Sequence, residues 1–134
     1  MSEENRQFLT SLFQSIKNQG WGDNFMAVLH NDLEFNAMGT SAISGSYKGK
    51  EIYRDQLLKR LDDKLESWPV PIVDTMIVDG DLACLQFHAT DGKGKNGADF
   101  NMQYCWVLRL ENRQITKIWG YYDSYIMDAL FKRV

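Results

Sequence analysis

Cysteine, proline and histidine each occur only twice in the 134 residues of this chain. Cys84 and Cys105 lie far apart without a C-x-x-C pair, which argues against a disulfide framework or a zinc ribbon and reads both as buried thiols. His30 and His88 fall outside any H-x-E or H-E-x-x-H spacing, so a protein-held metal would need a scattered set of carboxylates. Neither a metal nor a cofactor is expected. Basic excess is also missing: the formal net charge is −3, which removes the broad positive surface that binds phosphate backbones and makes nucleic acid an unexpected partner. The longest apolar runs, Phe25 to Leu29 and Tyr104 to Leu108, are five residues each, far short of a bilayer span, so no membrane crossing is expected. The amino terminus carries Glu3 and Glu4 and reaches its first apolar pair at Phe8 and Leu9, unlike a signal peptide, and a cytoplasmic location is the resulting expectation.

What is present is a globular composition, 44% apolar and 25% charged, in a length suited to one domain. Glu3 and Glu4 follow a capping Ser2, and Phe8, Leu9, Leu12, Phe13 and Ile16 then fall on one helical stripe that Gly20 can end. Asp23 can cap a shorter helix carrying Phe25, Met26 and Leu29, and an extended run from Leu33 to Met38 follows. Gly39, Ser41, Ser44, Gly45 and Gly49 read as loop. A third helix is expected from Lys50, because Ile52, Tyr53, Leu57, Leu58, Leu61 and Leu65 repeat at three to four residues, and Trp68-Pro69 ends it. From Ile72 to Tyr122 the period becomes that of strands: Ile72 to Val78, Leu82 to Thr90, Phe100 to Leu110 and Ile115 to Tyr122, joined by turn clusters as antiparallel hairpins. Helices followed by a meander of strands is an α+β pattern.

Gly92, Gly94 and Gly97 spell G-x-G-x-x-G, but between two strands and opening no helix, so the segment reads as a hairpin loop rather than a phosphate cradle. His88 shares a strand face with Gln86 and Thr90, a polar row that either meets solvent or lines a wet pocket, where His88 would act as a base. Phe100, Met102, Tyr104, Trp106, Leu108 and Leu110 share one face of their strand; this row either faces the helices as core or faces a second subunit. In Trp119-Gly120-Tyr121-Tyr122-Asp123-Ser124-Tyr125 a carboxylate follows a dense aromatic run. Enclosed by those rings, Asp123 would have a raised pKa and trade protons near neutrality; otherwise it ends the strand or caps a terminal turn from Tyr125 to Phe131.

Four segments, in order and over nearly the whole chain, resemble the SnoaL-like branch of the nuclear-transport-factor-like, or ketosteroid-isomerase-like, superfamily. They are Gly45-Ser-Tyr-Lys-Gly49-Lys-Glu-Ile52, Val78-Asp-Gly-Asp81, Phe100-Asn-Met-Gln-Tyr-Cys-Trp-Val-Leu108 and Ile115-Thr-Lys-Ile-Trp-Gly-Tyr-Tyr-Asp123. The resemblance implies a cone-shaped α+β domain: a curved antiparallel sheet wrapped around an apolar pocket, covered by three helices from the N-terminal half, with homodimers common through the outer sheet face. The steroid isomerases' base would fall near Ala37 and their protonated oxyanion-hole aspartate near Cys105, neither of which can do that chemistry. SnoaL-type cyclases keep a tryptophan and, four residues later, an acid/base aspartate; Trp119 and Asp123 match that spacing. Strict alternation puts Asp123 in the row of Trp119 and Tyr121, whereas the isomerase-like register turns Ile118 and Tyr122 inward, and a bulge near Gly120 would reconcile the two.

The resemblance therefore implies a cofactor-independent cyclase or isomerase acting on a small, largely apolar, polyketide-like carbonyl compound. Asp123 would be the acid/base, Trp119, Tyr121 and Tyr122 would shape the pocket, and His88, Asn36, Tyr53 and Gln103 would be polar partners. The other reading is a non-catalytic ligand-binding or dimerisation module, its interior filled by six methionines and an aromatic set of seven Phe, six Tyr and four Trp. An open cavity holding the Asp123 carboxyl separates the first reading from the second.

Overall fold

Helix α1 (Ser2–Gln19) buries the stripe Leu9, Leu12, Phe13 and Ile16. In the computed structural model, which describes residues 2–132, that stripe packs across a sheet built from the second half of the chain. Gly20, at φ +87°, ends α1 where only a residue without Cβ adopts the turn freely, and its N–H donates to Ile16 O at 2.7 Å. Ser2, expected as the cap, begins the helix, and its Oγ accepts from Gly80 N at 2.7 Å. Asn5 Nδ2 donates to Gly80 O at 2.8 Å, so the start of α1 is tied to one hairpin turn. The short α2 (Asp23–Met26) is preceded by Gly22 at the cap position, and Asp23 is its first residue rather than its cap.

The main sheet has six strands: β1 (Leu29–Ala37), β2 (Gly45–Lys48), β4 (Val70–Asp79), β5 (Leu82–Thr90), β7 (Gln103–Glu111) and β8 (Gln114–Tyr121), in the order β2-β1-β8-β7-β5-β4. The hairpin meander read from the sequence is present. The sheet is mixed rather than wholly antiparallel, because the early strand β1 returns beside the last strand β8 in parallel. Strand β2, read as loop, pairs with Glu34 to Ala37 of β1. Two further short strands, β3 (Leu65–Ser67) and β6 (Lys93–Gly94), form a separate ribbon, so the glycine-rich hairpin segment is partly paired. The turn into β8 places Asn112 and Arg113 at φ +49° and +60°, the twist that a tight hairpin favours.

The third helix spans residues 50–64 and starts at Lys50 as its periodicity predicts. It ends at Lys64, before Trp68, because Leu65 leaves the helix to be buried in β3. Its middle, Tyr53–Leu58, is wound as a π-helix, a form concentrated at functional sites. The inward row of the sheet comprises Leu85 and Phe87 of β5, Trp106 and Leu108 of β7, and Ile115 and Ile118 of β8, all buried beneath the helices. The Phe100-to-Leu110 row therefore belongs to the core side, the first of its two alternatives. Helix α1, α2 and the third helix cover this concave face. Among the described residues, no helix is long and apolar enough to cross a membrane.

Candidate functional site

Between the third helix and the inward face of β1, β5, β7 and β8 lies a cavity of about 70 Å³. Its walls are almost wholly apolar. Trp106 is the hub: its ring meets Phe35 at 5.8 Å, Trp21 at 5.6 Å and Phe87 at 5.4 Å between centroids, mostly edge to face. Tyr53 stacks on Phe35 at 4.5 Å and 19°, held there by the π-wound stretch that also turns Leu57 inward. Gly120 keeps the space open. A Cβ at that position would stand 3.2 Å from both Phe35 Cζ and Trp106 Nε1. Trp21, Leu58 and Trp68 line both the cavity and a surface groove beside Arg54 and Lys59, which marks the mouth. Two of these rings are tied: Trp21 Nε1 donates to Pro69 O at 2.9 Å and Trp68 Nε1 to Asp62 Oδ1 at 2.8 Å.

The far end is closed by the loop after β1. Tyr122 O–H bonds with Ser41 Oγ at 2.7 Å and Ser44 Oγ at 2.8 Å, which seats buried Ile43 against the cavity. Tyr53 and Tyr104 also line the space, and burial alone pushes both hydroxyls far above the ordinary tyrosine range. Both stay neutral through the physiological range, so the lining holds no group that exchanges protons near neutrality.

Of the candidate site residues read from the sequence, Tyr53 and Tyr122 reach this cavity, and Phe100, Tyr104 and Trp106 of the aromatic row line it too. The others do not. Pairing through β8 is regular from Lys117 to Tyr121, with no bulge at Gly120, so Ile118, Gly120 and Tyr122 face inward while Trp119, Tyr121 and Asp123 face out. Asp123 caps the terminal helix (Ser124–Leu130): its Oδ1 accepts from Tyr125 N at 2.9 Å and Ile126 N at 3.1 Å. Of the two readings of Asp123, the enclosed carboxyl is corrected to the helix cap. Trp119 lies under the Lys117 ammonium at 5.0 Å on the outer face, away from this cavity.

His88 is also on that outer face, in the outward row of its strand. A bulge at Asp74 aims that carboxylate at it, with His88 Nδ1 and Asp74 Oδ2 2.8 Å apart and both side chains substantially exposed. Gln103, opposite His88 on β7, lines an open groove with Asp74, Tyr121 and Asp123, as does Gln86. Asn36 Nδ2 donates to Glu34 Oε2 at 3.1 Å and Ile118 O at 3.3 Å, and its Oδ1 accepts from Ser46 Oγ, so it braces the β2 edge. Trp21, Phe35 and Gly120 are among the lining residues missed in the sequence. Alternation around Gly120 contained that signal, because it places Gly120 opposite the indole of Trp106.

Two measurable consequences follow from these placements. Asp123→Ala is expected to destabilise the protein by about 0.5–2 kcal/mol through loss of the cap, whereas Asp123→Asn, itself a good cap, leaves urea stability nearly unchanged. Equal losses in both variants would contradict the capping role. Glu34 has its carboxyl below the usual range because Asn36 donates to it and Lys117 stands 3.2 Å away. Its folded pKa is thus below its unfolded one, so its contribution is full above the unfolded pKa and is lost as pH falls through the folded pKa. Glu34→Gln should therefore lower stability slightly at neutral pH, and the difference from the native protein should vanish in acid. A difference that persists in acid would contradict this.

Residues 9–118 match the model of the SnoaL-like domain. The chain belongs to the SnoaL-like family. The match stops one residue before Trp119, so it does not include the Trp119–Asp123 pair. No curated protein sequence matches this chain. Among solved structures, an NTF2-like protein from Burkholderia pseudomallei superposes with a TM-score of 0.81 at 15% identity, covering 99% of this chain and 100% of the other. One from Burkholderia xenovorans gives 0.74 at 21% identity, covering 98% of each chain. A Catenulispora acidiphila protein with a ketosteroid-isomerase-like fold, solved in complex with trimethylamine, gives 0.71 at 16% identity over 90% of this chain and 89% of its own. At these identities the likeness is one of fold.

Proposed function

We propose that this SnoaL-like chain acts as a single-domain, non-catalytic binding protein for a small, largely apolar molecule held in the Trp106 cavity. The observation that carries this reading is an aromatic space bounded by Tyr53, Trp106 and Gly120 with no proton-exchanging group in its lining. A cavity of about 70 Å³ has room for about two waters at roughly 30 Å³ each, hence for a ligand of only a few heavy atoms and not for a multi-ring polyketide. Cyclase or isomerase chemistry at Asp123 loses its support, because that carboxylate caps a helix outside the cavity. Trimethylamine in the Catenulispora acidiphila relative is a ligand of comparable size.

The tryptophans supply the test. Trp21, Trp68 and Trp106 line the cavity, while Trp119 lies on the other face of the sheet. Titration with cyclopentane, followed by the four indole N–H resonances, is expected to move those of Trp106 and Trp21 in a saturable manner and leave Trp119 still. No movement at the first three would contradict binding in this cavity.

We further infer that the partner on the outer sheet face is a second copy of the chain. Ile77, Cys84, Val107 and Trp119 stand in register across four strands as one apolar lane, with Ile77 60% exposed. Asp79, Arg109, Lys117 and Glu34 lie in one row on one side of the lane, with Lys117 3.2 Å from Glu34, and Asp74, His88 and Asp123 lie on the other. A two-fold axis along the lane buries this apolar strip against its copy and leaves the charged residues on either side as a polar rim. Sedimentation should show a dimer that Val107→Glu converts to a monomer. A monomeric native protein would contradict the arrangement.

A further inference from the structure

Cys84 and Cys105, which the sequence reads as buried thiols, stand side by side on the outer face of the sheet and are only half-buried. Cys84 is opposite Val107 and Cys105 opposite Gln86, so the two hold diagonal positions on β5 and β7, and their Sγ atoms are 3.6 Å apart. Both strands are interior to the sheet, with β4 and β8 on either side, and this pairing fixes the separation. The register positions around the pair are uncharged: Ile77 and Val107 flank Cys84, and Gln86 and Tyr121 flank Cys105. Burial, together with the hydrogen bond to Cys84, holds the Cys105 thiol above its usual range, so Cys105 rests as a neutral thiol and not as an activated thiolate.

Two sulfurs so placed suit a bridging atom better than a direct bond. Diagonal neighbours on antiparallel strands have Cα atoms roughly 7–8 Å apart, at or past the ~7 Å limit for a disulfide. An atom bonded to both sulfurs at about 2.3 Å spans the observed 3.6 Å with an angle of roughly 100°. That angle does not suit a linear two-coordinate soft ion, and no third His, Cys, Asp or Glu joins the pair among the described residues to build a zinc tetrahedron. Trivalent arsenic is pyramidal and makes three bonds, the third of which its own organic substituent supplies. We propose that Cys84 and Cys105 form a dithiol site for a trivalent organoarsenical. The site lies on the opposite face of the sheet from the cavity and is independent of it. An arsine oxide condenses with both thiols: the two S–H bonds and the As=O bond break, two As–S bonds form, and the two protons leave with the oxygen as water. Arsenic stays trivalent, so no oxidant or reductant enters. The adduct is neutral, which matches the apolar lane of Ile77, Val107 and Trp119 in which it sits.

Phenylarsine oxide is the probe, offered to dilute protein because Cys84 belongs to the face proposed to meet a second copy. Mass spectrometry of the native protein should show one phenylarsenic group per chain, retained against an excess of 2-mercaptoethanol and removed by 2,3-dimercaptopropanol. Cys84→Ser and Cys105→Ser should each weaken retention by about 100-fold or more, because only a second thiol on the same chain makes closure of the bridge intramolecular. The native chain in urea should also hold the group more weakly than the folded chain, since the paired strands are what bring the two sulfurs together. Two groups per chain, or equal retention by the native protein and either serine variant, would overturn the site. Equal retention by folded and urea-unfolded protein would overturn it as well, because the sheet would then contribute nothing.

Discussion

Trp106→Ala is expected to lower the free energy of unfolding by about 3–5 kcal/mol, the cost of removing a buried aromatic side chain and leaving a void behind. The indole contacts Phe13 at 6.3 Å, Trp21 at 5.6 Å, Phe25 at 6.2 Å, Phe35 at 5.8 Å and Phe87 at 5.4 Å, joining α1, α2 and two strands through one side chain. Its rigid neighbours cannot all move inward, because several already meet each other: Phe13 and Phe87 stand 5.4 Å apart and Trp21 and Phe25 5.0 Å apart. Urea denaturation measures the loss, with Trp119→Ala on the outer face as a comparison expected to cost far less in the separated chain. A Trp106→Ala protein within about 1 kcal/mol of the native one would mean that the aromatic cluster is not the centre of the core.

Gly120→Val should abolish ligand binding, with affinity for cyclopentane falling more than tenfold. The backbone at Gly120 is extended β-strand, paired with Trp106 on one side and Ala37 on the other, so valine meets no φ restriction. What it meets is the cavity wall. Its Cβ would already press on Phe35 Cζ and Trp106 Nε1 at 3.2 Å, and its two methyl groups have only the void to enter. Overfilling costs about 1–3 kcal/mol of stability, which leaves a folded protein in which binding can be measured. Unchanged affinity would place the ligand somewhere other than between Phe35, Trp106 and Gly120.

The sequence made the fold legible where periodicity is strong. The α1 stripe, the Lys50 start of the third helix and the four-strand meander each repeat apolar residues at the spacing of the element they form. Strand β2 escaped because Gly45-Ser46-Tyr47-Lys48 is a short edge segment without buried alternation, and its pairing with β1 depends on tertiary approach. The parallel contact of β1 with β8 is likewise invisible locally, since strands far apart in sequence leave no shared pattern.

The site was less legible than the fold, for a specific reason. Asp123 follows a run of aromatics, but strand alternation sends Tyr122 inward and Asp123 outward, and the next residues start a helix that claims its carboxylate. Chemical suggestiveness along the chain did not translate into proximity in space. Trp106 lay in a row with two possible coverings, and only the packing of α1 and α2 decided between them. Gly120 was read as the place for a bulge; its role is the room it leaves beside an indole nitrogen.

The measurement closest to the central claim is a crystal of the native protein equilibrated with xenon, an apolar atom with no hydrogen-bonding or proton chemistry of its own. Xenon density is expected inside the space between Tyr53, Phe35, Trp106 and Gly120, and is expected to be lost in Gly120→Val. Xenon absent from that space, or found only in the outer groove beside Gln103 and Asp123, would contradict an internal binding cavity.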